Sequence, residues 1–196
     1  MALDIRLETE ADYMETEKMT REAFWDLYKP GCNEHFILHQ LRKSPAFIPE
    51  LDYVACDGGA VVGNIIYTKA AVSDGVNTHT VLCMGPLCVA PEYQNKGIGS
   101  ALLRKTLELA GGMGHKGVVI FGNPGYYHRF GFRNAKEYAI QTAQGDNFDA
   151  FMALELVENG LQGVGGRFYE DEAFTTDAAE FEHYDQQFPY REKHKR

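Results

Sequence analysis

Gln94-Asn95-Lys96-Gly97-Ile98-Gly99-Ser100 is the stretch on which the reading of this chain turns. It follows the apolar run Leu87-Cys88-Val89-Ala90 and opens an amphipathic run from Ala101 to Ala110. The order is strand, tight glycine-rich turn, helix N-terminus. The first N–H groups of a helix have no intrahelical partner and lie at the positive end of its dipole. Glycines permit φ > 0 and let a bulky anion approach the backbone. Such a turn is a seat for a phosphate or pyrophosphate. Two familiar phosphate loops fit poorly. The P-loop places a lysine directly before its Ser/Thr, whereas Ser100 follows Gly99. The dinucleotide fingerprint needs a third glycine where this chain has Leu102.

Working outward, Pro91-Glu92-Tyr93 precedes the turn, and Asn123-Pro124-Gly125-Tyr126-Tyr127-His128-Arg129-Phe130-Gly131-Phe132 follows a later apolar run. The first segment resembles motif A of the GNAT superfamily of acyl-CoA N-acyltransferases, with Gln94, Gly97 and Gly99 at the pattern positions. The second resembles that family's Asn followed by Tyr-x-x-x-Gly-Phe. Two signatures in the right order are more specific than one glycine-rich loop. The resemblance covers about residues 1–157, and the Pro-Gly-Tyr-Tyr-x-Arg-Phe-Gly-Phe form is most similar to the bacterial YhbS-type group.

The resemblance implies an α/β (α+β) fold. Its mixed central sheet has about six to seven strands, flanked by helices, with splayed parallel strands around an acyl-CoA site. It implies transfer of an acetyl group from acetyl-CoA to a primary amine of a small molecule or peptide by direct attack. The expected cofactor-binding residues are Leu87, Cys88, Val89, Gln94, Asn95, Lys96, Gly97, Ile98, Gly99, Ser100, Asn123 and Tyr127. A backbone N–H at Cys88 or Val89 would polarise the thioester carbonyl, as an oriented donor does in an oxyanion hole. Tyr127 is the expected catalytic acid for the leaving thiolate. The alternatives are a ring that only packs, or Tyr126 in that role. Asn123 would bond the pantetheine arm or cap a short helix. Asn123 and Tyr127 are four apart, closer than in many relatives, so a non-catalytic CoA-binding regulatory module is the alternative function.

No residue stands out as the general base. Glu34, His35, His39 and Glu92 are the candidates, with Asp52 behind them. His35 and His39 share a helix face at i, i+4, but no third ligand is evident and no metal is expected. The four cysteines, Cys32, Cys56, Cys83 and Cys88, form no Cys-x-x-Cys pair and read as reduced, mostly buried thiols.

The 196 residues suffice for one sizeable core with a short appendage. A net charge of −9 argues against nucleic-acid binding. No apolar run reaches the length of a membrane span, and Met1 to Arg6 lacks a signal pattern, so a cytoplasmic protein is expected, as monomer or homodimer. The basic end, Arg191 to Arg196, reads as a solvated tail.

The remaining pattern predicts a strand at 5–7, helices near 11–28 and 34–43, and a hairpin of 52–56 with 60–71 about Asp57-Gly58-Gly59. A strand at 78–90 carries an internal Gly85-Pro86, a mark of a bulge. A helix ends at Gly111-Gly112, a strand occupies 117–121, and 138–142 and 151–157 are expected to pair with each other. Residues 1–157 form the acyltransferase domain, and 158–196 a C-terminal extension packed on the core.

Overall fold

The structure is a computed structural model that describes residues 3–194. The strands are β1 (Asp4–Leu7), β2 (Tyr53–Asp57), β3 (Ala60–Ser73), β4 (Thr78–Val89), β5 (Gly117–Phe121), β6 (Arg133–Asn134), β7 (Ile140–Gln141), β8 (Phe151–Glu155) and β9 (Gly166–Tyr169). The helices are α1 (Tyr13–Phe24), α2 (Glu34–Leu41), α3 (Ile98–Gly112), α4 (Pro124–Tyr127) and α5 (Ala178–Asp185). The strand order is β1-β2-β3-β4-β5-β8-β6, with β9 on β3 and β7 on β9. β4 and β5 are parallel through Leu82↔Val118 and Cys83↔Val119, and β1-β2-β3 and β5-β8-β6 are antiparallel. This is the expected mixed sheet flanked by helices. It counts nine strands among the described residues, because β6 and β7 are two-residue strands and β9 lies past residue 157.

Contacts divide the chain into two compact units. The first holds the described parts of Met1–Ile66, Pro86–Leu103 and Glu172–Arg196, and the second Tyr67–Gly85 and Arg104–Asp171.

In the first unit, the β2–β3 turn forms as the sequence implies, with Gly58 at φ +59° and Gly59 at φ +92°. Two left-handed central residues match the twist of a hairpin. The buried face of α1 is polar: Thr16, Glu17, Thr20 and Arg21 lie inside with Met19. A buried polar group is costly unless bonded, and each of these finds a partner. Thr20 Oγ1 lies 3.2 Å from Cys88 Sγ, and Arg21 Nε donates to Asp185 Oδ1 at 2.8 Å. Glu17 Oε1 accepts from Arg42 Nη1 at 2.9 Å, and its Oε2 from Tyr184 OH at 2.5 Å. Arg42 Nη2 also donates to Glu8 Oε1 and Oε2 at 2.8 and 2.7 Å. α5 is thus tied down by Tyr184 and Asp185, and Phe188 is buried beyond it. The basic end is not simply solvated. Trp25 Nε1 donates to Glu192 O at 3.0 Å, and His194 N to Asp26 Oδ2 at 3.1 Å.

His35 has no solvent exposure and lies 2.9 Å from Asp185 Oδ1 through Nε2. Burial lowers its pKa to about 4, outweighing the attraction of Asp185. It is therefore neutral at pH 7 and donates its Nε2 proton, while Arg21 answers the charge of Asp185. A histidine depressed in the folded state is protonated first in the unfolded chain, so stability is lost as pH falls from about 6.5 towards 4. We expect the melting temperature to drop between pH 7 and pH 5, and His35→Gln to flatten that drop. A wild-type melting temperature constant over that range would refute the linkage.

In the second unit, α3 ends at Gly112, within the expected Gly111-Gly112 stop. The left-handed stop is Gly114, at φ +88°, and His115 N returns to Ala110 O at 3.1 Å. The late strands pair differently from expectation. β8 lies between β5 and β6, whereas β7 pairs in parallel with β9. The 142–146 turn closes on itself through Thr142 N to Asp146 O at 2.9 Å. Phe168 of β9 packs on Phe151 of β8 and Phe121 of β5, so this end of the sheet curls over one aromatic core.

Candidate active site

In the first unit the glycine-rich turn has the conformation its residues require. After Val89 comes a 3₁₀ turn, Pro91–Tyr93, and then Gln94 in an extended conformation. Gln94 Nε2 folds back to Val89 O at 3.2 Å, holding the loop to the end of β4. Asn95 takes φ +60° and Gly97 φ +85°. Asn is, after Gly, the residue that best tolerates the left-handed region. Gly97 O accepts the Ala101 N–H at 3.0 Å, so α3 starts directly after it. A Cβ at Gly97 would project into open space. The backbone is therefore bare where an anion would approach the first turn of a fifteen-residue helix. Lys96 Nζ lies 4.9 Å from the Tyr93 ring, an exposed positive charge beside the same turn.

Gly63 explains why this helix start sits so close to the sheet. A Cβ there would come within 3.1 Å of Ile98 Cγ2 and Leu102 Cδ1 and within 3.3 Å of Cys88 O. Its absence lets α3 settle on β3 beside the end of β4. Sequence reading passed over Gly63, because a glycine inside an apolar strand carries no local signature of what crosses it. Leu87 and Val89 are partly buried and Cys88 is buried. Desolvation pushes the Cys88 thiol up to about 12, so it stays protonated and is a poor nucleophile.

In the second unit, Asn123 caps α4, its Oδ1 accepting from Gly125 N at 2.9 Å. Pro124 occupies the first helical position, where its missing N–H costs nothing. Tyr127 N bonds Asn123 O at 3.1 Å, and Gly131 at φ +93° ends the following 3₁₀ turn. The partly buried Tyr127 ring packs edge-on to Phe132, with centroids 5.5 Å apart. It also lies flush against Gly122, where any Cβ would collide with Tyr127 Cε2. Gly122 is a second positioning glycine that sequence reading missed, although it directly precedes the quoted Asn123. Beneath, Tyr67 OH and Thr106 Oγ1 are 2.9 Å apart. Burial raises the Tyr67 phenol, and Tyr127 is near enough to add to that shift.

The base candidates separate by environment. Asp52 is buried, accepts from Asn64 Nδ2 at 3.0 Å and is held well above the usual carboxylate range by burial and by Glu8. A proton on Asp52 directed at Glu8 satisfies its Oδ2, which otherwise has no hydrogen-bond partner and only the Arg42 Nε charge 3.8 Å away. His35 is sealed from solvent, and His39 Nδ1 lies 3.1 Å from Glu17 Oε1. Glu34 Oε2 accepts from Asn33 N at 3.0 Å, and Glu92 is exposed. Among the described residues no group of three or more His, Cys, Asp or Glu side chains could hold a metal ion.

Known proteins agree with this geometry. The family model of the GNAT acetyltransferase domain matches residues 50–134. The N-acetyltransferase YhbS of Escherichia coli K12, itself uncharacterised, is 29% identical over 163 residues, 83% of this chain and 92% of that protein. The similarly uncharacterised YjhQ of the same organism is 36% identical over 84 residues, but the match spans only 43% of this chain and 46% of that relative. A crystal structure of Escherichia coli YhbS in complex with CoA superposes with a TM-score of 0.78 at 26% identity, covering 88% of this chain and 91% of that one. A GNAT acetyltransferase of Brucella melitensis in complex with acetyl-CoA gives 0.71 at 28% identity, covering 88% and 98%. The chain matches the GNAT acetyltransferase domain over residues 50–134 and is similar to YhbS along most of its length.

Proposed function

We propose that this chain is an acyl-CoA-dependent N-acetyltransferase that moves an acetyl group from acetyl-CoA to a primary amine of a small molecule or peptide by direct attack. The observation that carries the proposal is the strand–turn–helix unit from Leu87 to Ser100, with Asn95 and Gly97 left-handed and the first turn of α3 directly behind. Two similar proteins hold CoA and acetyl-CoA, which supports that ligand class.

When bound, the thioester supplies an activated acyl group. The chain's own residues do the rest. Backbone N–H groups from Asn95 to Ser100 receive the pyrophosphate, with Gln94 and Lys96 beside them. A backbone N–H at Cys88 or Val89 polarises the acyl carbonyl. The Tyr127 hydroxyl gives its proton to the departing thiolate, a task suited to a phenol of ordinary pKa about 10. Asn123, with Oδ1 engaged as a cap, holds α4 and so the Tyr127 ring in place. Residues 158–196 are an extension of the acyltransferase domain that supplies β9 and α5.

The test is thermal unfolding with acetyl-CoA, CoA and ATP. A ligand of the folded state at 100 times its Kd adds about 2.7 kcal/mol, roughly 5–10 °C for a chain of this size. Stabilisation by acetyl-CoA and CoA but not by ATP is the expected result. Absence of any shift with the first two refutes the assignment. Stabilisation without thiol release across a broad amine panel favours the regulatory module.

A further inference from the structure

The turn at Asn95–Ser100 answers one anionic group of acetyl-CoA, the pyrophosphate. The second unit carries a separate cluster of cations. Arg104 Cζ lies 4.9 Å from the centre of the Phe130 ring, and Arg129 Cζ lies 5.0 Å from the same ring. Arg129 Cζ is also 4.2 Å from the Tyr126 ring, which tilts against Phe130 at a centroid distance of 5.3 Å. Two guanidinium groups and two rings thus form one continuous stack. Its parts come from two places. Tyr126 and Phe130 are four apart, across the end of α4 and the 3₁₀ turn His128–Phe130, which the left-handed Gly131 closes. Arg104 enters from α3. Both arginines are exposed and both rings are half-buried, so the rings form a floor and the charged heads face water.

A ring holds a guanidinium in place without neutralising it. Glu108, four residues further along α3, is spaced to pair with Arg104. Among the described residues Arg104 nevertheless forms no ion pair, whereas exposed Arg133 meets Glu137 at 3.8 Å. On a chain of net charge −9, two arginines gathered on one ring are a local reversal of sign. Like charges repel, and an anion received between them turns that repulsion into attraction.

The position of the stack says which anion. Ser100 and Arg104 are four apart on α3, so they share a face and are separated by about 6 Å along the axis. Helical side chains lean towards the N-terminus. The first-turn anion seat and the arginine stack are therefore consecutive on one helix face. A ligand fixed at the seat by its pyrophosphate presents its next group to the stack. In acetyl-CoA that group is an adenosine bearing a 3′-phosphate monoester, with about −1.5 to −2 charge at pH 7. A guanidinium grips such a phosphate with two parallel N–H donors and offers its flat face to a purine.

We propose that Arg104 and Arg129, held on Phe130 and Tyr126, form a subsite for the 3′-phosphoadenosine end of the cosubstrate, so that the protein selects acetyl-CoA over its 3′-dephospho form. The inference rests on the transferase reading above and adds to it a requirement for the 3′-phosphate.

The experiment is calorimetric titration of the full chain with acetyl-CoA and with acetyl-3′-dephospho-CoA. The wild type should bind acetyl-CoA about tenfold or more tightly than the dephospho form, as a charge-assisted pair to phosphate implies. Arg104→Ala and Arg129→Ala should each cut that preference at least about threefold, the coupling a double-mutant cycle reads. Arg129→Lys should recover part of it, since an ammonium keeps the charge but loses the fork. Arg133→Ala, which lies outside the stack, should keep the wild-type preference. High salt should shrink the preference, because the stack is exposed. A wild type that binds both forms within about threefold overturns the subsite and leaves the transferase reading standing. Arginine variants that weaken both ligands in equal proportion also overturn it, because they reveal only a prop for α4. Loss of the preference in Arg133→Ala does the same, by reducing the effect to bulk charge. A wild type that binds neither form overturns the transferase reading, and this inference with it.

Discussion

Tyr127→Phe should lower kcat at least 100-fold while leaving acetyl-CoA-induced stabilisation intact. A positioned general acid contributes about 10²–10⁴ in rate, and the substitution removes only the hydroxyl. The ring keeps its contacts with Phe132 and Gly122, so the fold does not depend on the change. Gly122→Ala should reproduce the loss by another route. Its Cβ collides with the Tyr127 ring, which must swing away with its hydroxyl. Steady-state thiol release and a thermal-shift titration on the same preparations check both. A Tyr127→Phe enzyme within threefold of wild type would reduce Tyr127 to a packing residue.

Arg42→Ala should cost stability rather than chemistry, by about 3–5 kcal/mol. The guanidinium is buried, forked onto Glu8, bonded to Glu17 and set over the Tyr13 ring at 4.0 Å. Glu8 and Glu17 are themselves at most 4% exposed, so removing Arg42 leaves two buried charges uncompensated. Against a typical total of about 5–15 kcal/mol, that loss approaches unfolding. Arg42→Lys should recover little, since an ammonium cannot make the fork. Asp52→Asn is the informative contrast. Asp52 is held in its neutral form, so an amide of the same shape should cost less than about 1 kcal/mol. Urea unfolding of the three variants decides the matter. A loss below 1 kcal/mol in Arg42→Ala would show that the cluster relaxes or admits water.

The polar buried face of α1 shows where sequence legibility stops. Tyr13, Met14, Met19, Ala23, Phe24, Leu27 and Tyr28 are the residues whose spacing announces the helix. Yet Met14 is exposed and Tyr28 lies outside it, while Glu17 and Arg21 point inward. Periodicity finds a helix but not its buried side when polar partners arrive from Arg42, Tyr184 and Asp185, far along the chain. His35 and Asp52 were base candidates by residue type, and burial with specific neighbours made them structural.

What the sequence by itself determined is the strand–turn–helix unit at Leu87–Ser100 and the Asn123–Phe132 turn. There the physics is local: left-handed tolerance at Asn95 and Gly97, an Asn cap, a Pro at the first helical position and a glycine stop at Gly131. Only the tertiary structure decided that Gly63 and Gly122 make room for α3 and Tyr127, that β7 pairs with β9, and that Phe121, Phe151 and Phe168 meet in one cluster. Those outcomes depend on strand register, and a shift of one residue would turn every side chain to the other side. Register is settled by contacts between residues distant in sequence, as Val72 with Phe168 and Phe121 with Phe151 illustrate.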